Sequence, residues 1–437
     1  MYTIGVFGCG YVGLVTAACF ANLGHQVCAY DADLTKIRML ASGKIPFFEP
    51  GLEDLVEREQ QARRLQFVDH PANALAHADL AFIAVGTPTG PTGEADLTYV
   101  RQAARDIAAF ANGSLIVVNK STVPVETANM VERTIRAVTH NTRFCVASNP
   151  EFLREGSAIG DFLHPDRVVI GASDEQAITT LQHLYEPLGA PVLVVDVRTA
   201  EMIKYTANAF LAMKISFINE IANLCGAVEA NIDEVIAGIG ADARIGRAYL
   251  QPGLGFGGSC LPKDVAALAS VARAHAIEPT MLEATLSVNR RQVAAALAMV
   301  EDALGDLCEQ PIALAGLSYK GGTDDVRESP GIVLAQALVT RGARVLVFDP
   351  VAEQRARPLL RDKVEFYTDL YEMCSQARAL VVANDDRRFT NLDWPALAST
   401  GCRHVFDFRN RLDPAQVTAA GLLYSGIGRA GRLAAAV

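Results

Sequence analysis

Residues 2–33 read YTIGVFGCGYVGLVTAACFANLGHQVCAYDAD. An apolar run, Ile4 to Phe7, leads into Gly8-x-Gly10-x-x-Gly13. A helical run from Leu14 to Leu23 closes at Gly24, a good residue for a helix C-terminus. A second apolar run, Val27 to Tyr30, then ends in Asp31. Strand, glycine turn, helix, strand and acid in this order form one half of a dinucleotide-binding unit. Gly8 permits the tight turn, Gly10 lets backbone approach a pyrophosphate, and Gly13 lets helix and strand pack closely. The helix N-terminus then offers unpaired N–H groups to the phosphates. Asp31 stands where a carboxylate bonds ribose hydroxyls, and it repels a 2′-phosphate, so the spacing favours NAD over NADP. The expected cofactor contacts here are Gly8, Gly10, Tyr11, Val12, Gly13 and Asp31. Lys36 is either a phosphate ligand or a solvated helix lysine.

The rest of the chain fits a large α/β protein. Its 437 residues suggest two or three domains, and 50% hydrophobic residues supply ample core. A net charge of -10 without a basic stripe excludes nucleic acid as an expected partner. The opening MYTIGVFGCG lacks the basic and apolar regions of a signal peptide, and no apolar run reaches membrane-spanning length. Nine cysteines scattered without CxxC pairs imply reduced thiols in the cytoplasm and no metal site.

Strands and helices keep alternating. LAFIAVGTPT (80–89), SLIVVNKSTVP (114–124) and RFCVASNPEFL (143–153) are apolar runs that end in polar loops. Thr87, Thr122 and Glu151 sit at those ends, where open parallel sheets bind ligands. From Ala200 to about Leu297 the strand pattern gives way to helices, a natural dimer interface. Lys204 and Asn208 share one helical face at i and i+4, and a lysine and an amide together on an apolar helix are costly to bury without a role. The stretch LQPGLGFGGSCLPKDVAAL (250–268) sets Cys260 after glycines 253, 255, 257 and 258, which would let backbone wrap a ligand. Cys260 stands at a helix start, with Lys263 nearby and Asp264 one turn on. A helix N-terminus and a lysine both favour a thiolate, the setting of a nucleophile. Cys19, Cys28 and Cys225 read as packing. The last third, from Pro311, repeats strand–loop–helix–strand–Asp without GxGxxG. Its loop YKGGTDDVRES (319–329) offers Lys320 and Arg327 as phosphate ligands or as a solvated loop, and the strand HVFDFRN (404–410) ends near Arg409.

The motifs FGCGYVG, VGTPT, KSTVP, NPEFLREGSAIGDFLHPDRVVIG, AEMIKYTANAF, RIGRAYLQPGLGFGGSCLPKD, YKGGTDDVRESP and YSGIGR occur in one order along nearly the whole chain. In this the chain resembles the UDP-glucose/GDP-mannose dehydrogenase family. The resemblance implies an α/β fold of two Rossmann-like doubly wound domains joined by a central helical dimerisation region. The implied boundaries are 1–199 for NAD, 200–300 for the helical region and 301–437 for the UDP-sugar. It implies oxidation of a sugar-nucleotide primary alcohol to a carboxylate with two NAD per sugar. Cys260 would form a thiohemiacetal and then a thioester. Lys204 and Asn208 would stabilise the alkoxide, Asp264 would hold a water or the lysine, and Thr122 and Glu151 would order that water and move protons. Thr87, Thr122, Glu155, Lys263 and Arg327 would contact the cofactor. Glu151, Phe152, Leu153, Glu155, Lys204, Asn208, Tyr249, Leu250, Gly257, Cys260, Tyr319, Lys320 and Arg409 would hold the UDP-sugar. Arg244 would reach the neighbouring site of a homodimer.

Two positions depart from the family pattern: Leu261 stands where an aromatic is frequent, and Gly321-Gly322 where a proline is frequent. DFLHPDRVVIG and the RIG segment favour the UDP-glucose branch, with GDP-mannose or a UDP-N-acetylhexosamine as the alternatives. A two-electron β-hydroxyacid dehydrogenase needs no nucleophilic cysteine, and a cofactor-binding sensor would not need the whole set from Glu151 to Asp264.

Overall fold

The computed structural model describes residues 1–91, 93–139 and 143–429. The chain divides into two compact units, one of residues 1–207 with 270–276, the other of 208–269 with 277–437. Among the described residues no helix is long and apolar enough to cross a membrane.

The first unit is built on strands β1 (Thr3–Phe7), β2 (Gln26–Tyr30), β3 (Leu65–Val68), β4 (Leu80–Ile83), β5 (Ser114–Asn119), β6 (Arg143–Ser148), β7 (Val168–Gly171) and β8 (Val192–Val195). They form one sheet in the order β3-β2-β1-β4-β5-β6-β7-β8. Neighbours run parallel except β6 and β7, which meet antiparallel at Ser148 and Gly171. The strand order reverses between β1 and β4, the switch point where such sheets open a crevice. The central strands are buried on both faces, which is why β1 and β4 read as unbroken apolar runs. One face packs around Phe20, whose ring lies 5.1 Å from Phe82, 5.2 Å from Phe162 and 5.6 Å from Tyr185. Burying such a ring is worth about 1.5–3 kcal/mol. The other face packs Phe7, Ile83 and Val117 under Val100, Ile107 and Val131.

The antiparallel junction is held by side chains. Asn149, just past β6, donates from Nδ2 to the Val169 carbonyl at 2.8 Å. Its Oδ1 accepts from Lys120 Nζ at 2.8 Å and from the Tyr185 hydroxyl at 2.5 Å. Burial pushes the Lys120 ammonium down to about 7, partly offset by Glu151. The ends of β5 and β6 are thus tied to β7 and to Tyr185 where they deliver their loops.

The second unit contains β9 (Pro311–Ala315), β10 (Arg344–Phe348), β11 (Glu365–Phe366), β12 (Ala379–Val382), β13 (His404–Asp407) and β14 (Leu423–Gly426). All pairs are parallel, in the order β11-β10-β9-β12-β13-β14. That is the order of the first six strands of the other sheet. One face shares a core with the helical middle: Ile218, Ile236, Leu254, Leu297 and Val300 pack with Ile312 and Leu314. Ala313, Leu346, Met373, Trp394 and Leu397 fill the other face. The long helix Val197–Ala227 begins in the first unit and ends in the second. Its second-unit part exposes Phe210, Phe217 and Leu224, each more than half accessible and seven residues apart.

The same turn recurs in both units. Gly8 takes φ +100° and its N–H bonds the Tyr30 carbonyl at 2.8 Å; Gly316 takes φ +103° and its N–H bonds the Phe348 carbonyl at 3.0 Å. A Cβ on Gly13 would stand 1.8 Å from the Gly8 oxygen, and a Cβ on Gly331 would stand 2.5 Å from the Gly316 oxygen. Glycine is required at all four for sterics. Gly10 differs: its φ is -74° and a Cβ there would meet nothing within 4 Å. Gly13→Ala should lower the melting temperature by roughly 5–10 °C or block folding, since forced overpacking costs a few kcal/mol. Gly10→Ala should leave the melting temperature of the ligand-free protein unchanged while weakening NAD binding. Thermal melts and NADH titrations of the two variants check this contrast.

Candidate active site

In the first unit the glycine turn builds an anion cradle. No side chain caps the helix Tyr11–Asn22 at Gly10, so its first N–H groups stay available. The space beside Gly10 is open, as a pyrophosphate against the backbone requires. Asp31 closes β2: its Oδ2 accepts the Cys9 N–H at 2.8 Å and its Oδ1 the Asp33 N–H at 2.9 Å. Lys36 Nζ lies 2.8 Å from Asp31 Oδ2, so the lysine pairs with the acid that closes β2. These residues fit a dinucleotide. Thr87, buried past β4, donates from Oγ1 to the Thr122 carbonyl at 2.9 Å, which joins two of the expected strand-end residues.

Past β6 lies Glu151, buried, whose Oε2 accepts the Leu153 N–H at 2.5 Å. Its Oε1 stands 3.3 Å from Lys204 Nζ, and both side chains are about 95% buried. Lys204 Nζ also lies 5.2 Å from the Phe152 ring, and the Arg167 guanidinium covers that ring at 3.6 Å. Glu151, Phe152 and Lys204 thus form one cluster of a buried acid, a buried amine and an aromatic ring.

The second unit holds another cluster. Cys260 directly precedes the helix Leu261–Ala274, and its carbonyl accepts the Asp264 N–H at 2.8 Å. The Asp264 carboxylate is fully buried and accepts from Asn208 Nδ2 at 2.6 Å and Lys263 Nζ at 2.5 Å. Cys260 is partly accessible, with Ser259 Oγ 3.5 Å from its sulfur. By contrast burial pushes the Cys19 thiol up to about 12 and raises Cys28 as well, which suits their packing role. The nine cysteines form no disulfide.

The glycines before Cys260 have a packing reason that the sequence reading did not give. A Cβ on Gly257 would stand 2.1 Å from the Glu328 carbonyl oxygen, on Gly258 2.8 Å from the Tyr319 ring, and on Gly255 2.5 Å from Asn289 Oδ1. Gly257 and Gly258 let the cysteine loop lie against the loop 319–329, and Gly255 lets it lie against the helix Thr280–Leu304. Gly258 N–H bonds the Arg327 carbonyl at 2.9 Å in the same seam. Lys320 Nζ lies 5.8 Å from the Tyr319 ring. Arg327, expected on the cofactor, forks onto its own Asp325 at 2.7 Å. Tyr249 takes φ +63° beside the buried Leu250. Arg244 is 90% exposed at its side chain and pairs with its neighbour Asp242 at 2.6 Å.

Arg409 stands 3.3 Å from Asp385 Oδ2, while its buried Nε has no hydrogen-bond partner. Burial alone would raise Asp385, but Arg409, the Gly321 N–H and Arg411 outweigh it and hold the carboxyl at about 2. Asp385 escaped the sequence reading, as did Glu49, Asn149 and Tyr185. An acid in a strand-end run such as ANDD signals only a loop.

Family models match along the chain. The UDP-glucose/GDP-mannose dehydrogenase family NAD binding domain matches residues 2–189, its central domain 198–291 and its UDP binding domain 313–414. The chain belongs to this family. A UDP-glucose 6-dehydrogenase of Rhizobium meliloti is 46% identical over 98% of this chain and 99% of its own. One of Bacillus subtilis is 42% identical over 98% and 94%. The solved UDP-glucose dehydrogenase of Pyrobaculum islandicum superposes with a TM-score of 0.93 at 40% identity, covering 98% of both chains. A UDP-D-ManNAc dehydrogenase of Pyrococcus horikoshii gives 0.87 at 28% identity, over 98% and 99%. The family's NAD binding domain coincides with the unit that carries the open cradle and Asp31.

As a member of the family the protein uses NAD, and Asp31 should carry the preference. Asp31→Ala should raise the KM for NAD on the order of tenfold to a hundredfold, the worth of a hydrogen bond to a charged group. It should also narrow the discrimination against NADP, as steady-state kinetics with both cofactors would show.

Proposed function

We propose that the protein oxidises UDP-glucose at C6 to UDP-glucuronate through a covalent intermediate on Cys260. The observation that carries the reading is the second-unit cluster: a partly accessible thiol at a helix N-terminus, one turn from a buried Asp264 that holds Asn208 and Lys263. The identities of 39–46% to relatives named UDP-glucose 6-dehydrogenase favour this substrate over the N-acetylated sugar nucleotides. We assign residues 1–199 to the cofactor, 200–300 to the nucleophile and dimer contact, and 301–437 to the nucleotide of the substrate.

When bound, NAD accepts a hydride in each of two oxidations. Gly8 to Gly13 hold its pyrophosphate, and Asp31 its ribose. Glu151 takes the proton of the C6 hydroxyl directly or through water, and Lys204 stabilises the developing alkoxide. Asn208 adds an amide donor to the stabilisation of the alkoxide. The Cys260 sulfur then adds to the C6 aldehyde, forming a C–S bond and a tetrahedral alkoxide that still carries a hydrogen. This adduct keeps the aldehyde from escaping and makes the second oxidation a hydride loss, which leaves a thioester. Water ordered by Thr122 and Glu151 attacks the thioester. The C–S bond breaks, the thiolate returns, and the product is a carboxylate. Arg409, with a buried donor to spare, and Lys320 bind the diphosphate, with Tyr319, Tyr249, Leu250 and Gly257 beside the nucleotide.

The enzyme works as a homodimer in this reading. Phe210, Phe217 and Leu224 form an apolar stripe at heptad spacing that suits the same stripe on a second copy. Arg244, exposed and paired with Asp242 two residues before it, reaches the other copy's substrate. A reduced cytoplasmic setting suits the thiol chemistry.

Cys260→Ser should cut kcat by at least about a thousandfold without a comparable change in UDP-glucose affinity; near-normal turnover would remove the covalent step. Arg244→Ala should weaken substrate binding. When it is mixed and re-assembled with Cys260→Ser, part of the activity should return, because one site in each mixed dimer has both residues. No recovery in verified mixed dimers would refute the shared site.

A further inference from the structure

The segment between Glu151 and the helix Ala158–Leu163 runs as loop, yet acids fix its backbone at close intervals. Leu153 N–H bonds Glu151, and Arg154 N–H bonds Asp161 at 2.8 Å. Ser157 N–H bonds the Arg154 carbonyl at 3.0 Å, and the Gly156 and Ala158 N–H groups go to Glu49, more than a hundred residues away in sequence. Glu49 Oε2 accepts the Gly156 N–H at 2.6 Å and Oε1 the Ala158 N–H at 2.8 Å. The Tyr11 hydroxyl donates to the same Oε2 and accepts from Gly156 N–H at 2.9 Å. Glu49 is 6% exposed, and the Tyr11 ring packs on Phe47 at 5.0 Å. Burial and the Glu49 carboxylate both keep the Tyr11 phenol protonated.

Tyr11 is the first residue of the cradle helix, directly after Gly10. Gly156 directly follows Glu155, and Glu151 lies five residues before it. One carboxylate therefore ties the helix that receives the pyrophosphate to the loop that carries the catalytic acid. We propose that Glu49 is a positioning residue that sets the register between the NAD cradle and the Glu151–Glu155 loop through Tyr11 and Gly156. Its carboxylate is buried and spends both oxygens on protein donors. The proposal rests on the reading of the glycine turn as the NAD cradle and deepens it.

Three donors converge on Glu49, and only a carboxylate has lone pairs for all of them. Glu49→Gln keeps the shape but places an NH2 against an N–H or hydroxyl donor. The loop and the cradle helix then lose their common anchor. The test compares wild type, Glu49→Gln, Tyr11→Phe and the double variant in three measurements: NADH binding by fluorescence, UDP binding by calorimetry and kcat. Glu49→Gln should raise the NADH Kd about tenfold and lower kcat by a similar factor, the range for losing a hydrogen bond to a charged group. The UDP Kd should change less than about twofold. Tyr11→Phe, which leaves both N–H bonds to Glu49 in place, should give a smaller change of the same kind. The double variant should fall well short of the product of the two, as residues acting through one network do. Unchanged NADH binding and kcat in a folded Glu49→Gln protein would overturn the proposal. So would equal weakening of NADH and UDP binding, which would mark general loosening, or full additivity of the two substitutions. Wild type that failed to bind NADH would instead overturn the cradle reading itself.

Discussion

The structure depends on a glycine pressed onto a carbonyl. Gly13 sits so close to the Gly8 oxygen that a methyl group cannot fit, and Gly331 sits against Gly316 in the same way. That approach turns the chain from strand into helix within a few ångströms of the sheet. It aims the helix N-terminus at the crevice where the strand order reverses. The acid at the end of the next strand then closes the turn, Asp31 on the Cys9 N–H and Asp349 on the Leu317 and Ser318 N–H groups. One local constraint, used twice, sets where each unit can receive a nucleotide.

The two units use the turn differently, and the reason lies in the residues after the first glycine. In the first unit the helix starts three residues after Gly8, uncapped, with open space at Gly10. In the second, a loop separates Gly316 from the helix at Pro330, and Ser329 caps that helix through Ile332 N–H and bonds the Leu317 carbonyl. Asp349 spends its oxygens on its own backbone, including the Val351 and Ala352 N–H groups. The second turn thus has its donors and its acid already satisfied. The unit's cationic groups suited to a diphosphate lie elsewhere, in the added loop and at Arg409 beside Asp385.

The sequence revealed the first unit's glycine turn and the strands β1, β2, β4, β5 and β6, because the glycines are five apart and flanked by runs of clear period; β3, β7, β8 and the antiparallel junction were not read from it. It showed the second as a repeat of strand, loop, helix and acid, but not the shared glycine turn, since Gly316 and Gly331 are fifteen apart and no short motif spans them. Lys204, Asn208, Cys260 and Asp264 were legible from spacing on helices, and Asn208 does meet Asp264. The glycines at 255, 257 and 258 pack on protein, because a flexible loop and a tightly packed one use the same residue. Glu49, Asn149 and Tyr185 carried no signal. Their roles come from long-range hydrogen bonds that no local periodicity encodes, and Arg327 and Lys36 pair with acids that a linear reading cannot rank against a ligand.

The covalent four-electron reaction is the central claim, and its stoichiometry is the direct measure. Limiting UDP-glucose should be run to completion with excess NAD, beside GDP-mannose and UDP-N-acetylglucosamine at the same concentration. About two NADH should form per UDP-glucose, with UDP-glucuronate as the product and little turnover of the other two sugars. One NADH per sugar, with aldehyde released, would contradict the claim, because Cys260 would then not hold the intermediate for the second oxidation.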